Sequence, residues 1–252
     1  MVSSDTLLSQ DQYIAALHRD GAATIAAASQ SLDAEVPSCP GWDMHRLIGH
    51  IGRVYCSVRE HVVRRASEVV PAEEIPKPPQ GEAVLAWYEE ALENVATALK
   101  DIAPDEAVWS WAGDPYQNGA FYHRRMAHET LIHRWDAENA VGDPQPLDDD
   151  LAADNIDELL QVVLPFTIAR WDRPIPEGTL HLHRIGGEGE WTASPNGNSI
   201  SVSLEHSKGD AAVRGSASDL ALFIWERRSI DDLDLEVFGP REIAEQWAAL
   251  SR

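Results

Sequence analysis

The sequence predicts an α plus α+β protein, with an all-helical N-terminal domain over residues 1–172 and a small α+β domain over residues 173–252. Two changes of pattern carry this. Up to about Ile168, apolar residues recur at steps of three and four, the period of helices with one buried face. From Gly178 the period shortens to the alternation of short strands. A linker near Asp172 to Gly178 separates the two regimes. The apolar fraction, 44% of 252 residues, is enough for a sizeable core.

Taken in order, Ser9-Gln10-Asp11-Gln12 has the form of a capping box and opens a helix running to about Ser31. The stretch from Glu35 to Trp42, with two prolines and a glycine, is a loop. Asp43 is a natural N-cap for a second helix from Met44 to about Ala66, with Leu47, Ile51, Val54, Val58 and Val62 as its apolar stripe. A Pro- and Glu-rich loop leads to a third helix from Glu82 to about Ile102. The loop after it carries Trp109, Trp111, Pro115 and Tyr116, aromatics that could wall a pocket or serve the fold. A fourth helix runs from about Asn118 to Val141, stopped by Gly142 and Pro144. Asp148 caps a fifth, from about Asp149 to Ile168. Strands follow at 179–183, 190–193, 199–204 and 211–215, with the hairpin signal Asn196-Gly197 between the second and third. A helix from Ala217 to Arg227, a strand from Asp234 to Phe238 and a helix from Pro240 to Leu250 complete the chain.

Composition narrows the function. Net charge is −22, from 20 basic and 42 acidic residues, which argues against a nucleic-acid backbone or an anionic membrane surface as partner. Met1 to Asp5 lacks a basic region followed by an apolar run, so no signal peptide is read there. No apolar stretch is long enough to span a bilayer. The two cysteines, Cys39 and Cys56, are too few for a disulfide framework, and a reduced, cytoplasmic setting is expected.

The chemistry concentrates in the fourth helix. Glu129 and His133 are four residues apart, so their side chains leave one face of a helix and can close on one metal ion. A third ligand must come from elsewhere. His50 lies between Leu47 and Val54 on the inward stripe of the second helix. Two imidazoles and a carboxylate leave one coordination position open, the pattern of a catalytic zinc rather than a structural one. Without a metal these residues are polar groups set in apolar faces, costly unless paired. His128 is rotated about 100° from Glu129 and lies off the stripe. Asp136, one turn after His133, could orient a ligand through its outer nitrogen or form an ion pair. Cys39 precedes a helix N-terminus, where a thiol pKa can fall, but no base adjoins it, and it reads as structural, as does Cys56.

The stretches Val36-Pro37-Ser38-Cys39-Pro40-Gly41-Trp42, Leu47-Ile48-Gly49-His50-Ile51-Gly52 and His128-Glu129 through His133-Arg134-Trp135-Asp136 resemble the mycothiol-dependent maleylpyruvate isomerase family. So do Gly215 to Leu220 and Phe223 to Arg227. The resemblance implies a DinB-like four-helix bundle followed by a sterol-carrier-like domain. It further implies a divalent metal, typically zinc, on His50, Glu129 and His133, with the open position taken by the sulfur of mycothiol. The family's activity would then be isomerisation, or S-transfer, of an electrophilic small molecule by a thiolate. Arg227 matches an arginine the family favours near its cleft and would bind an anionic thiol or carboxylate. The alternative from a different class is a non-catalytic protein that binds a metal or a small hydrophobic ligand.

Overall fold

A computed structural model describes residues 8–251, so Met1 to Asp5, where a leader was sought, lies outside the described residues. The chain divides into two compact units, Met1–Pro146 and Leu147–Arg252.

The first unit is built from four helices: α1 (Gln10–Ala28), α2 (Met44–Arg64), α3 (Ala83–Asp101) and α4 (Gly119–Ala140). The starts of α1, α2 and α4 are set by short polar side chains that take the free amides of a first turn. The Ser9 hydroxyl accepts from the Gln12 amide at 3.3 Å while the Gln12 side chain accepts the Ser9 amide at 2.8 Å, closing the capping box. Asp43 accepts from the Arg46 amide at 2.7 Å, and Asn118 from the Phe121 amide at 3.0 Å. Helix α1 packs on α4 and α2 on α3, with further contacts across both pairs. Leu47, Ile48, Ile51 and Tyr55 of α2 and Val84, Tyr88 and Val95 of α3 are buried in the core, as are Met126, Leu131 and Trp135 of α4.

Helix α4 departs from the expected single face. Nearly every residue from Phe121 to Ala137 is buried, the charged ones included, so the helix keeps no solvent-facing stripe over that span. The aromatics of the loop before it are structural: the Trp109 ring stacks on His61 at 4.9 Å, and Trp111 meets Phe121 edge-on at 5.3 Å.

The second unit opens with α5 (Asp149–Glu158), a π turn over Leu159–Val163 and α6 (Leu164–Trp171). The turn widens just before Pro165, which has no amide to give a regular helical bond. A five-stranded sheet follows: β1 (Leu180–Arg184), β2 (Glu190–Asn196), β3 (Ser199–Ser203), β4 (Ala211–Gly215) and β5 (Glu236–Phe238). Its order is β3-β2-β1-β4-β5, with β1 and β4 parallel and the other pairs antiparallel. Helices α7 (Ala217–Ile224) and α8 (Arg241–Ala248) pack on β1 and β4.

The division between units falls before α5, not at the 172–178 linker where the change of period placed it. Helical period cannot tell which core a helix joins. Here α5 packs against α7, and the Trp225 indole donates to Asn155 Oδ1 at 2.5 Å.

Gly119 shows how tightly the first unit is assembled. A Cβ there would sit 2.3 Å from the Ala103 carbonyl oxygen, a backbone atom with no freedom to retreat. Gly119→Ala is therefore expected to cost roughly 1–3 kcal/mol, read as a lower denaturation midpoint with an unchanged slope.

Candidate metal centre

The three residues singled out on α2 and α4 meet in space. His50 Nε2 lies 3.2 Å from Glu129 Oε1, and His133 Nε2 lies 3.4 Å from the same oxygen. The two imidazole rings stand 5.2 Å apart at 78°. One donor atom from each of the three residues falls within 4.8 Å of the others.

Each donor is held from behind. Glu129 Oε2 accepts from Arg125 at 2.5 Å, leaving Oε1 for the centre. His133 directs Nδ1 to Asp136 Oδ2 at 2.8 Å, which leaves Nε2 facing Glu129. Asp136, fully buried, is held in turn by Ser38, whose hydroxyl donates to Oδ1 at 2.5 Å, and by the Cys39 thiol, 3.6 Å from Oδ2. Trp42 packs edge-on to the His50 ring at 5.0 Å. The centre is not sealed, because the His50 side chain keeps 37% of its exposure against 10% for His133.

The electrostatics are coupled. Burial pushes the Glu129 carboxyl up, but the Arg125 guanidinium and the hydrogen bonds of His133 and His50 outweigh it and hold the carboxyl well below its usual range. Burial pushes the His133 imidazole down, and its bonds to Asp136 and Glu129 reverse this and raise it to about 9. At neutral pH His133 is thus an imidazolium between two carboxylates.

His128 is buried against Tyr13 of α1, ring to ring at 6.0 Å, and is not among the donors gathered at the centre. Cys39 gathers with His133 and Asp136 rather than with His50 and Glu129. Cys56 is half-buried, its thiol pushed up mainly by burial. In the second unit Arg227 is half-buried; its Nη1 donates to the Trp225 carbonyl at 2.9 Å and its guanidinium lies 5.7 Å from that residue's ring centre.

In the sequence Ser38 and Trp42 are legible only as part of the family-like stretch from Val36 to Trp42, and Arg125 is not marked out there. Arg125 could have been, since it stands four residues before Glu129, a spacing that pairs opposite charges on a helix. Ser38 lies 98 residues from Asp136, and no local pattern points across that span.

A metal must fit these groups as they stand. Two imidazole nitrogens and a carboxylate oxygen form the donor set of zinc and similar borderline ions, and the outer nitrogen of His133 carries the carboxylate bond typical of a metal-ligating histidine. The set fits.

His50, Glu129 and His133 thus form a candidate metal centre within a helical bundle, and an α+β unit follows in the chain. Two family models match the chain: the mycothiol maleylpyruvate isomerase N-terminal domain over residues 14–138 and the C-terminal domain of the same family over residues 150–246. The chain belongs to the mycothiol-dependent maleylpyruvate isomerase family, a family of enzymes. Two crystal structures share its fold. One is a histidine-to-alanine mutant of mycothiol-dependent maleylpyruvate isomerase, at TM-score 0.63 and 14% identity, covering 91% of this chain and 93% of that one. The other is mycothiol-dependent maleylpyruvate isomerase itself, at TM-score 0.59 and 13% identity, covering 88% and 91%. No curated protein matches the chain by sequence. Among the described residues no helix is long and apolar enough to cross a membrane.

The raised pKa of His133 makes a stability prediction. A group raised from 6.5 to about 9 on folding gives stability that is fully present below pH 6.5 and lost as pH rises through about 9. Metal-free protein should lose roughly 2–3 kcal/mol across that window through this group. Asp136→Asn, which removes the largest raising influence, should flatten the loss. Urea denaturation in chelator at steps across the window checks both.

Proposed function

We propose that the chain is a divalent-metal-dependent enzyme that uses a low-molecular-weight thiol, mycothiol by family, to isomerise a small electrophile of the maleylpyruvate class. The supporting observation is the convergence of His50 Nε2, Glu129 Oε1 and His133 Nε2, with the outer atoms of Glu129 and His133 already bonded to Arg125 and Asp136. His50, Glu129 and His133 are the metal ligands in this reading, zinc is the ion their chemistry suits, and Asp136 orients His133.

When bound, the cation supplies positive charge that lowers the pKa of a thiol and favours its thiolate at neutral pH. The protein's part is to prepare for that charge. His133 gives up the proton it carries in the metal-free state, while Asp136 keeps Nδ1 bonded and so fixes the tautomer that offers Nε2. Arg125 stays on Glu129 Oε2 and prevents the carboxylate from turning away. The exposed side of His50 is the approach for thiol and substrate.

The thiolate sulfur adds to one carbon of a cis double bond conjugated to a carbonyl. The π pair moves to the carbonyl oxygen as an enolate, and the former double bond turns about its single bond. The pair then returns, the carbon–sulfur bond breaks, and thiolate and trans isomer leave, with no proton gained or lost. If the enolate carbon is protonated before expulsion, the carbon–sulfur bond persists and the outcome is thiol transfer. From the family resemblance we assign Arg227, in the second unit, an anion-binding role, since a guanidinium suits a bidentate carboxylate contact.

Two tests follow from this reading. His50→Ala and Glu129→Gln should each lower the bound divalent metal by one equivalent, by elemental analysis, and cut thiol-dependent isomerisation of maleylpyruvate at least about a hundredfold. Unchanged metal content in both variants overturns it. Arg227→Ala should leave metal content unchanged and raise KM roughly 10–100-fold, as expected for losing a charge-assisted hydrogen bond; an unchanged KM removes Arg227 from the role.

A further inference from the structure

A second group of imidazoles lies wholly within the second unit. His181 and His183 alternate on β1, so the strand period of two sends both side chains to one face of the sheet. The antiparallel register sets Glu190 of β2 directly opposite His183, and Thr192 opposite His181. His206 reaches the same spot from the segment that follows β3. One donor atom from each of His181, His183, Glu190 and His206 falls within 4.8 Å of all the others.

The contacts converge on the carboxylate. His183 Nδ1 is 2.6 Å and His206 Nδ1 3.1 Å from Glu190 Oε1, while His181 Nε2 is 2.7 Å from Glu190 Oε2. The last contact is the exception: the two atoms are 2.7 Å apart and buried, yet among the described residues neither has a hydrogen bond of acceptable geometry. Two buried electron-pair donors this close are unfavourable unless a positive charge, a proton on His181 or a cation, stands between them. His181 is itself only 5% exposed, and its other nitrogen is occupied, with Nδ1 2.9 Å from Thr192 Oγ1 and Thr192 2.7 Å from the Ser207 hydroxyl. The ring is thus oriented from behind and its Nε2 is aimed into the cluster, the disposition of a metal-ligating histidine with its outer partner in place.

We propose that His181, His183, Glu190 and His206 form a second site for a divalent transition-metal ion, separate from the centre on α2 and α4 and independent of the function assigned to it. Three imidazoles and one carboxylate suit zinc, cobalt(II), nickel(II) or copper(II) rather than magnesium or calcium. Zinc–nitrogen bonds of about 2.0–2.1 Å set tetrahedral ligand atoms roughly 3.3 Å apart, so the histidine nitrogens, 2.6–3.1 Å from the Glu190 oxygens, would move outward from the carboxylate, while the donor set as a whole already lies within 4.8 Å. Four protein ligands close a tetrahedral shell, so the site is structural in kind: it ties the segment carrying His206 to the β1–β2 ladder.

The test compares the full-length protein with His183→Ala/His206→Ala after zinc loading and removal of weakly held metal by a mild chelator. The double variant should hold one equivalent less than its parent. The same number in both, zero included, overturns the proposal. His50→Ala, measured alongside, reports on the α2–α4 centre alone, so the two sites succeed or fail separately. Should the double variant not fold, His206→Ala in the His50→Ala background serves instead. The His206 side chain is 77% exposed, so its loss leaves the core intact. Zinc affinity at least about tenfold weaker in that variant supports the site; unchanged affinity overturns it.

Discussion

Helix α4 is buried on nearly every side and yet carries Arg124, Arg125, His128, Glu129, Thr130, His133, Arg134 and Asp136 in four turns. Burying an unpaired polar group costs a few kcal/mol and an unpaired charge far more, so each of these side chains requires a partner on the elements around it. Arg134 reaches Glu138 at 2.7 Å and the carbonyls of Gln145 and Pro146, pinning the chain just beyond the helix. Thr130 is joined to the Tyr55 hydroxyl of α2 at 2.6 Å. Asp136 draws in the 35–43 loop through Ser38 and Cys39. Apolar packing alone would let four helices slide and rotate past one another; these pairings fix which turn of α4 faces which neighbour.

The candidate metal centre is a local consequence of that requirement. Glu129 and Asp136 bring two negative charges into the interior, and Arg125 offsets one of them. In the metal-free protein the proton on His133 offsets the other, which is why its pKa is raised despite burial. A divalent cation can displace that proton while the carboxylates, Arg125 and the Asp136 bond stay where they are. That exchange would replace one positive charge by two and leave the cluster one unit more positive.

The two units gather histidines by different regular geometries. In α4 the i,i+4 step of a helix aligns Glu129 with His133, and His50 is supplied by a neighbouring helix through tertiary packing. In the sheet the i,i+2 step of β1 aligns His181 with His183, and Glu190 is supplied by the antiparallel register. The first group keeps a solvent-facing histidine and three donors, the second has four. Openness suits chemistry in the one, and a filled shell suits structure in the other.

The sequence by itself determined the elements. Capping residues at Ser9, Asp43 and Asp148 mark helix starts to within a residue, because a cap acts on amides two or three positions away. The Asn196-Gly197 turn sets the β2–β3 hairpin for the same reason of locality. It also determined that Glu129 and His133 share a face. Only the tertiary structure decided the rest. That α5 joins the second core, that α4 is surrounded on all sides, that Ser38 and Cys39 support Asp136 and that His206 comes to His181 and His183 each depend on contacts between residues far apart in the chain. Periodicity reports which side of an element is buried, and it carries no information about what buries it.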